Sequence, residues 1–131
     1  MNTKIDKIFA EISAGELVDK ITILEIKKVE ITNEQKLKDV EKELKSLNET
    51  LKKSIPDQSL ITDQIHDLKN INYKLWHIED KKRESEKKKD FGKEFIELAR
   101  NVYKFNDERA KVKLQINENF GSNIKEVKSY D

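Results

Sequence analysis

The 131-residue sequence predicts an all-α fold: an antiparallel bundle of three or four helices dominated by one long helical hairpin. Three observations carry this. Apolar residues recur at spacings of three and four through most of the chain, the period of one helix face. Gly 3 and Pro 1 leave too little turn chemistry for a sandwich or barrel of many short strands. Start and stop signals divide the chain into pieces of helical length, joined by connections short enough to set neighbours antiparallel. The length suits a single helical domain, residues 1–131.

Residues 4–12, KIDKIFAEI, place Ile5, Ile8, Phe9 and Ile12 on no clean period and predict a short strand or an extended arm. Ser13-Ala14-Gly15-Glu16 reads as a capping box, the serine oxygen accepting an orphan N–H and the glutamate reaching back. A helix over about 14–31 follows, with Leu17, Ile21, Leu24 and Ile31 on one stripe and Val18, Ile23, Ile26 and Val29 widening it. Thr32, with Gln35 three residues on, repeats the start signal. The second helix, about 33–54, shows Leu37, Val40, Leu44, Leu47 and Leu51, a seam of coiled-coil type with charged residues outside it. Ser54-Ile55-Pro56-Asp57 stops it, since proline disfavours helix in the residue before it and donates no N–H.

The third helix, about 59–89, carries Ile61, Ile65, Leu68, Asn72, Leu75 and Glu79 on one stripe, flanked by Ile71 and Ile78. Asp90-Phe91-Gly92 supplies a break and a new cap. The fourth helix, about 91–119, has the cleanest pattern: Phe91, Phe95, Leu98, Val102, Phe105, Arg109, Val112 and Ile116. Beside it runs a second stripe, Ile96, Arg100, Tyr103, Asp107, Ala110 and Leu114, which predicts a face wide enough for two other helices. Phe120-Gly121-Ser122 ends the helix, and Ile124, Val127 and Tyr130 are the apolar residues available to pin the tail back. Helices of about 30 residues span about 45 Å, and a monomer leaves their far ends poorly covered. The sequence therefore predicts self-association, with a homodimer favoured.

Charge narrows the function classes. Lys+Arg 27 against Asp+Glu 26 gives a net charge of +1, which removes the simplest argument for binding nucleic acid or a membrane surface. The basic-looking run near residues 81–89 is balanced locally, since residues 79–94 hold seven bases and six acids. Trp76 and Tyr73 nearby read as packing or dimer-contact residues. No stretch approaches the roughly 18 apolar residues needed to span a bilayer. The first residues carry Asp6 and Glu11 and no continuous apolar run, unlike a signal peptide, so a cytoplasmic location is expected. Cys 0 excludes disulfides, thiolate nucleophiles and cysteine metal sites. His66 and His77 lie eleven residues apart on one helix, and Asp63–His66 has no second carboxylate–histidine pair, so no metal site is expected. No phosphate loop, nucleophile elbow or other cofactor motif is present, so neither cofactor nor nucleophilic catalysis is expected.

Arg109, in the middle of an apolar seam, is the most specific anomaly. A buried guanidinium must be paired or solvated. Only three arginines (Arg83, Arg100, Arg109) stand among twenty-four lysines, a skew of the kind an AT-rich genome produces, so each retained arginine carries information. Glu79 and Asn72 interrupt the third helix's stripe in the same way. Asp19 and Lys20 lie between Val18 and Ile21, and Arg100 and Asp107 interrupt the second stripe of the fourth helix. Two readings follow. In one, Arg109 pairs with Glu79 or Asp19 and the network fixes helix register. In the other, these groups converge on a pocket for an anionic small molecule, with Arg100 and Arg109 as clamps and Glu79 or Asp107 as acid or base.

Several strings carry a resemblance when taken together: SAGELVDKITILEIK (13–27), LWHIED (75–80), FIELARNVY (95–103), NDERA (106–110), then GS (121–122) and KSY (128–130). The chain resembles a family of short bacterial and phage proteins known only as a domain of unknown function. The resemblance implies a single domain with no assigned reaction, and adds weight to Asp19, Lys20, Glu79, Arg100, Tyr103, Asn106, Asp107 and Arg109 as a ligand-binding or structural polar set. A weaker similarity, to the helical chorismate mutases, implies an enzyme whose long first helix turns cationic residues toward a dicarboxylate. Here that helix offers Lys20, Lys27 and Lys28 but no arginine, and the first arginine of the chain is Arg83. The sequence thus leans toward a self-associating binding module and away from an enzyme.

Overall fold

The computed structural model describes residues 3–129. Its helices are α1 (Ala14–Glu30), α2 (Glu34–Ser54), α3 (Thr62–Lys88) and α4 (Lys93–Phe120), with a 3-10 turn at Ser59–Ile61 leading into α3. α3 and α4 form the long hairpin. α1 is the hub, packing on α2, α3 and α4, whereas α2 packs on no other helix among the described residues. The shared core is built from Leu17, Ile21 and Leu24 of α1, Val40, Leu44 and Leu51 of α2, then Ile61, Leu68, Val112 and Ile116. Burying each such side chain is worth about 1.5–3 kcal/mol, and this term, not helix propensity, holds the layers together.

The helix ends show where local signals compete. Ser13 Oγ accepts from the Glu16 N–H at 3.1 Å, which is half of a capping box. The Glu16 carboxylate does not return to Ser13; it is drawn to the cations Lys113 and Lys20. The second helix is capped by Asn33, one residue later than Thr32, through Oδ1 and the Lys36 N–H at 3.0 Å. Asparagine is the stronger cap of the two. At the hairpin tip Lys89 takes the left-handed conformation (φ 55) and ends α3. Asp90 Oδ1 accepts from the Gly92 N–H at 3.2 Å, a turn of its own and no helix cap, so α4 starts at Lys93 and leaves Phe91 outside it. Gly121, at φ 58, ends α4, and the Ser122 N–H closes back on the Asn117 carbonyl at 2.9 Å.

One expectation is resolved between its two alternatives and three change in detail. Residues 3–12 are an arm, neither helix nor strand, with Ile5, Ile8 and Phe9 exposed. Val29 is exposed and does not widen the α1 face. The tail is fastened by polar groups: Ser122 Oγ accepts from the Ala14 N–H at 3.0 Å and Glu126 holds Lys113, while Ile124 and Val127 remain exposed. Tyr130 lies outside the described residues. Finally, α4 meets α1 and α3 through its inner face alone, leaving Ile96, Tyr103 and Leu114 of the second stripe exposed. The reason is angular. At about 100° per residue the second stripe lies about 150° around α4 from the row Phe95, Leu98, Val102, Phe105, Val112 and Ile116 that packs inward, so the two rows do not make one broad face.

Candidate functional site: a buried ion network between α1 and α4

The site begins with a backbone approach. Gly15, in the first turn of α1, lies so close to α4 that a Cβ there would come within 2.5 Å of the Lys113 carbonyl oxygen. This contact lets the Gly15 N–H, one of the orphan donors of the helix start, donate to Asn117 Oδ1 at 2.7 Å. One turn further along α1, Asp19 faces Arg109 one to two turns back along α4.

Asp19 is 1% exposed, which is tolerable because its carboxylate is saturated. Arg109 Nε donates to Oδ1 at 2.9 Å and Nη2 donates to Oδ2, a bidentate fork. Asn72 of α3 donates to the same Oδ1 at 2.9 Å and to Thr22 Oγ at 2.9 Å, and the Thr22 hydroxyl in turn donates to the Asp19 carbonyl at 2.8 Å. Arg109 Nη1 also reaches Asn106 Oδ1 at 3.4 Å. Lys113, 5% exposed, stands among three carboxylates: Glu16 at 2.7 Å, Glu126 at 3.1 Å and Asp19 at 3.7 Å. Among the described residues no buried side-chain polar atom lacks a hydrogen-bond partner.

The titration behaviour follows from this wiring. Burial pushes the Asp19 carboxyl up, but the hydrogen bonds from Arg109 and Asn72 and the charges of Arg109 and Lys113 outweigh it, and its pKa falls below the ordinary 3.8. Burial likewise works against the Lys113 ammonium, yet the Glu16 hydrogen bond and the Asp19 charge carry it above its ordinary 10.5. The hydrogen bond to Asp19 holds Arg109 still more firmly charged. Burial raises Glu126 and Lys113 more than offsets it, so Glu126 is lowered. A carboxylate held this low, with its oxygens all engaged, is a poor general base at neutral pH.

Of the residues singled out in the sequence, Asp19, Arg109, Asn106 and Asn72 converge here. Lys20 is exposed and lies 3.7 Å from Glu16 at the network's edge. Glu79 is not Arg109's partner; it is half-buried, 3.6 Å from Lys82. It does line an open cavity of about 330 Å³ with Arg109, Asn72, Trp76 and Arg83. Arg100 and Tyr103 are exposed and line no part of that cavity, and Asp107 borders a different groove. Arg100 and Arg109 therefore do not form a common clamp.

Sequence reasoning passed over Lys113, Asn117, Gly15, Thr22 and Glu126. The signal was present for two of them: Arg109, Lys113 and Asn117 recur every four residues, a polar row beside the apolar seam. Lys113 does not stand out from the sequence, being one of twenty-four lysines. No group of three His, Asp or Glu side chains suited to a metal ion occurs among the described residues. Among the described residues no helix is long and apolar enough to cross a membrane.

The profile of a family of unknown function, DUF6165, matches residues 8–131. The chain belongs to that family. No curated protein and no solved structure matches the chain. The family's span contains every residue of the ion network and both charged residues of the open α4 stripe, and it assigns a reaction to neither.

Proposed function

We propose that this member of the family is a cytoplasmic, self-associating helical module that acts by binding, with the ion network as its internal register device. The observation that carries the reading is the open stripe of α4, where Ile96, Tyr103 and Leu114 are 56%, 55% and 41% exposed. Single exposed apolar residues mean nothing on a soluble surface. These three fall on one helical row with coiled-coil spacing, which scattered residues do not. The exposed Ile5, Ile8 and Phe9 of the arm add to the apolar surface open to a partner. The saturated ion network supports a structural role for the buried charges, since it leaves no free group for chemistry. Sedimentation equilibrium at micromolar concentration tests the reading: a mass rising toward the dimer supports it, and a monomer throughout overturns it.

A second reading has one observation in its favour. The cavity of about 330 Å³ beside Arg109 sets apolar Ile23, Ile26, Leu75 and Trp76 beside Arg83 and two carboxylates, Glu79 and Asp80. The small organic anion it suits is therefore one that also carries an amine or other hydrogen-bond donor. A thermal-shift screen of anionic metabolites tests it, because ligand at a hundred times its dissociation constant adds about 2.7 kcal/mol of stability. No shift by any of them, or a shift unchanged in Arg83→Ala, would overturn it.

A further inference from the structure

The open stripe of α4 is self-complementary in one orientation only. Ile96, Arg100, Tyr103, Asp107, Ala110 and Leu114 alternate spacings of four and three, the seam of a two-helix coiled coil. Arg100 and Asp107 stand on that seam with no ion-pair or hydrogen-bond partner among the described residues. Seven residues separate them, about 10 Å along the helix, too far to serve one another within one chain. A parallel pair of α4 helices would set Arg100 on Arg100 and Asp107 on Asp107, like charge against like charge. An antiparallel pair centred at position 105 sets Ile96 opposite Leu114, Arg100 opposite Ala110 and Tyr103 opposite Asp107. Each of these pairings occurs twice by symmetry.

We propose that two copies of this chain associate through α4 in that antiparallel register. The phenol of Tyr103 then donates to the second copy's Asp107 carboxylate. The small side chain of Ala110 leaves room for the second copy's Arg100 guanidinium, one layer from the first copy's own Asp107. A groove of about 410 Å³ runs along this row, lined by Asp107, Ala110, Leu114 and Val127, and its Val127 is 86% exposed. It lies at the height where the second copy's Ile96 and Arg100 enter. The seam extends over 19 residues, from position 96 to 114, about 27 Å. This pairing rests on the self-association proposed above and specifies its surface.

Charge reversal tests it. Arg100→Asp sets two acids together at each end of the seam, and Asp107→Arg sets two bases together. Symmetry doubles each effect, so either single variant should weaken the full-length dimer at least tenfold, and the double variant should recover most of the loss. Because the chain has no cysteine, a second measurement gives the orientation. Under mild oxidation a mixture of Ile96→Cys and Leu114→Cys chains should cross-link, while neither variant should cross-link with itself. A wild-type chain that stays monomeric overturns both this pairing and the self-association reading. A wild-type dimer that is indifferent to the charge reversals, or Ile96→Cys chains that link to themselves, overturns this pairing alone. So does a dimer abolished by deleting residues 3–12 and unchanged by the reversals, which assigns the contact to the arm.

Discussion

Asp19 is the residue on which the buried charges depend. Removing its carboxylate leaves Arg109 without its fork and Lys113 without one of three anions, whereas removing both members of the main pair leaves less uncompensated charge. Breaking a buried pair from one side costs about 3–5 kcal/mol, while replacing the whole pair by apolar groups can be nearly neutral. Asp19→Leu should therefore melt well below wild type, and Asp19→Leu with Arg109→Met should melt above Asp19→Leu alone, as differential scanning calorimetry would show. The pH dependence has a definite sign. Because Asp19 is lowered in the folded state, its contribution is fully present above the unfolded-state value of 3.8 and is lost as pH falls from there through the folded pKa. Urea denaturation between pH 7 and pH 3 should show wild-type stability dropping at the acid end and a flatter profile for Asp19→Asn. Half of this site was legible in the sequence. An arginine in an apolar seam announces a buried partner, and Asp19 was one of two carboxylates in range of the argument. What chooses between Asp19 and Glu79 is the angular position of α1 around the hairpin, and that is set by the Gly15 contact, which periodicity does not encode.

At the scale of the helix, the start of α1 is the contact that fixes this geometry. By propensity alone, Gly15→Ala should stabilise a helix by about 0.5–1 kcal/mol. Here the new methyl would lie 2.5 Å from a backbone carbonyl and 3.0 Å from Asn117 Oδ1, and backbone cannot swing aside as a side-chain tip can. Gly15→Ala should instead destabilise by about 1–3 kcal/mol, the usual cost of overpacking, measured as a lower urea midpoint with little change in slope. A stabilised variant would mean that α1 can lift off α4 without loss. The helices themselves were readable because each carries its own period and its own stop. Their ends were less so: Asn33 displaced Thr32 as a cap, and Asp90 closed a turn where a cap had been expected, because neighbouring polar residues compete for the same N–H groups. The second stripe of α4 is legible as a row of helical period, but among the described residues the single chain lays no other helix over it, which periodicity alone does not reveal.

Across the whole molecule, stability is distributed by what α1 reaches. The most deeply buried apolar residues of the hairpin, Ile61 and Leu68 on the α3 side and Ile116 on α4, lie toward its open end, and Ile71, Ile78 and Val112 extend the buried row to the middle. Toward the tip Phe95, Leu98, Val102 and Phe105 are only half-buried, and residues 83–94 have little beyond the other arm of the hairpin to cover them. Local opening costs least where few apolar contacts must break. Amide hydrogen exchange at low concentration should then show strongest protection over residues 17–26, 61–72 and 109–117, and weaker protection in the helical part of 83–100. Self-association through α4 adds a second, separable signature. Raising the protein concentration should increase protection over residues 96–114, where the second copy would lie, and leave the tip at 84–93 nearly unchanged. A gain spread evenly over the chain would reflect mass action on global unfolding alone. A gain confined to residues 3–12 would move the interface from α4 to the arm.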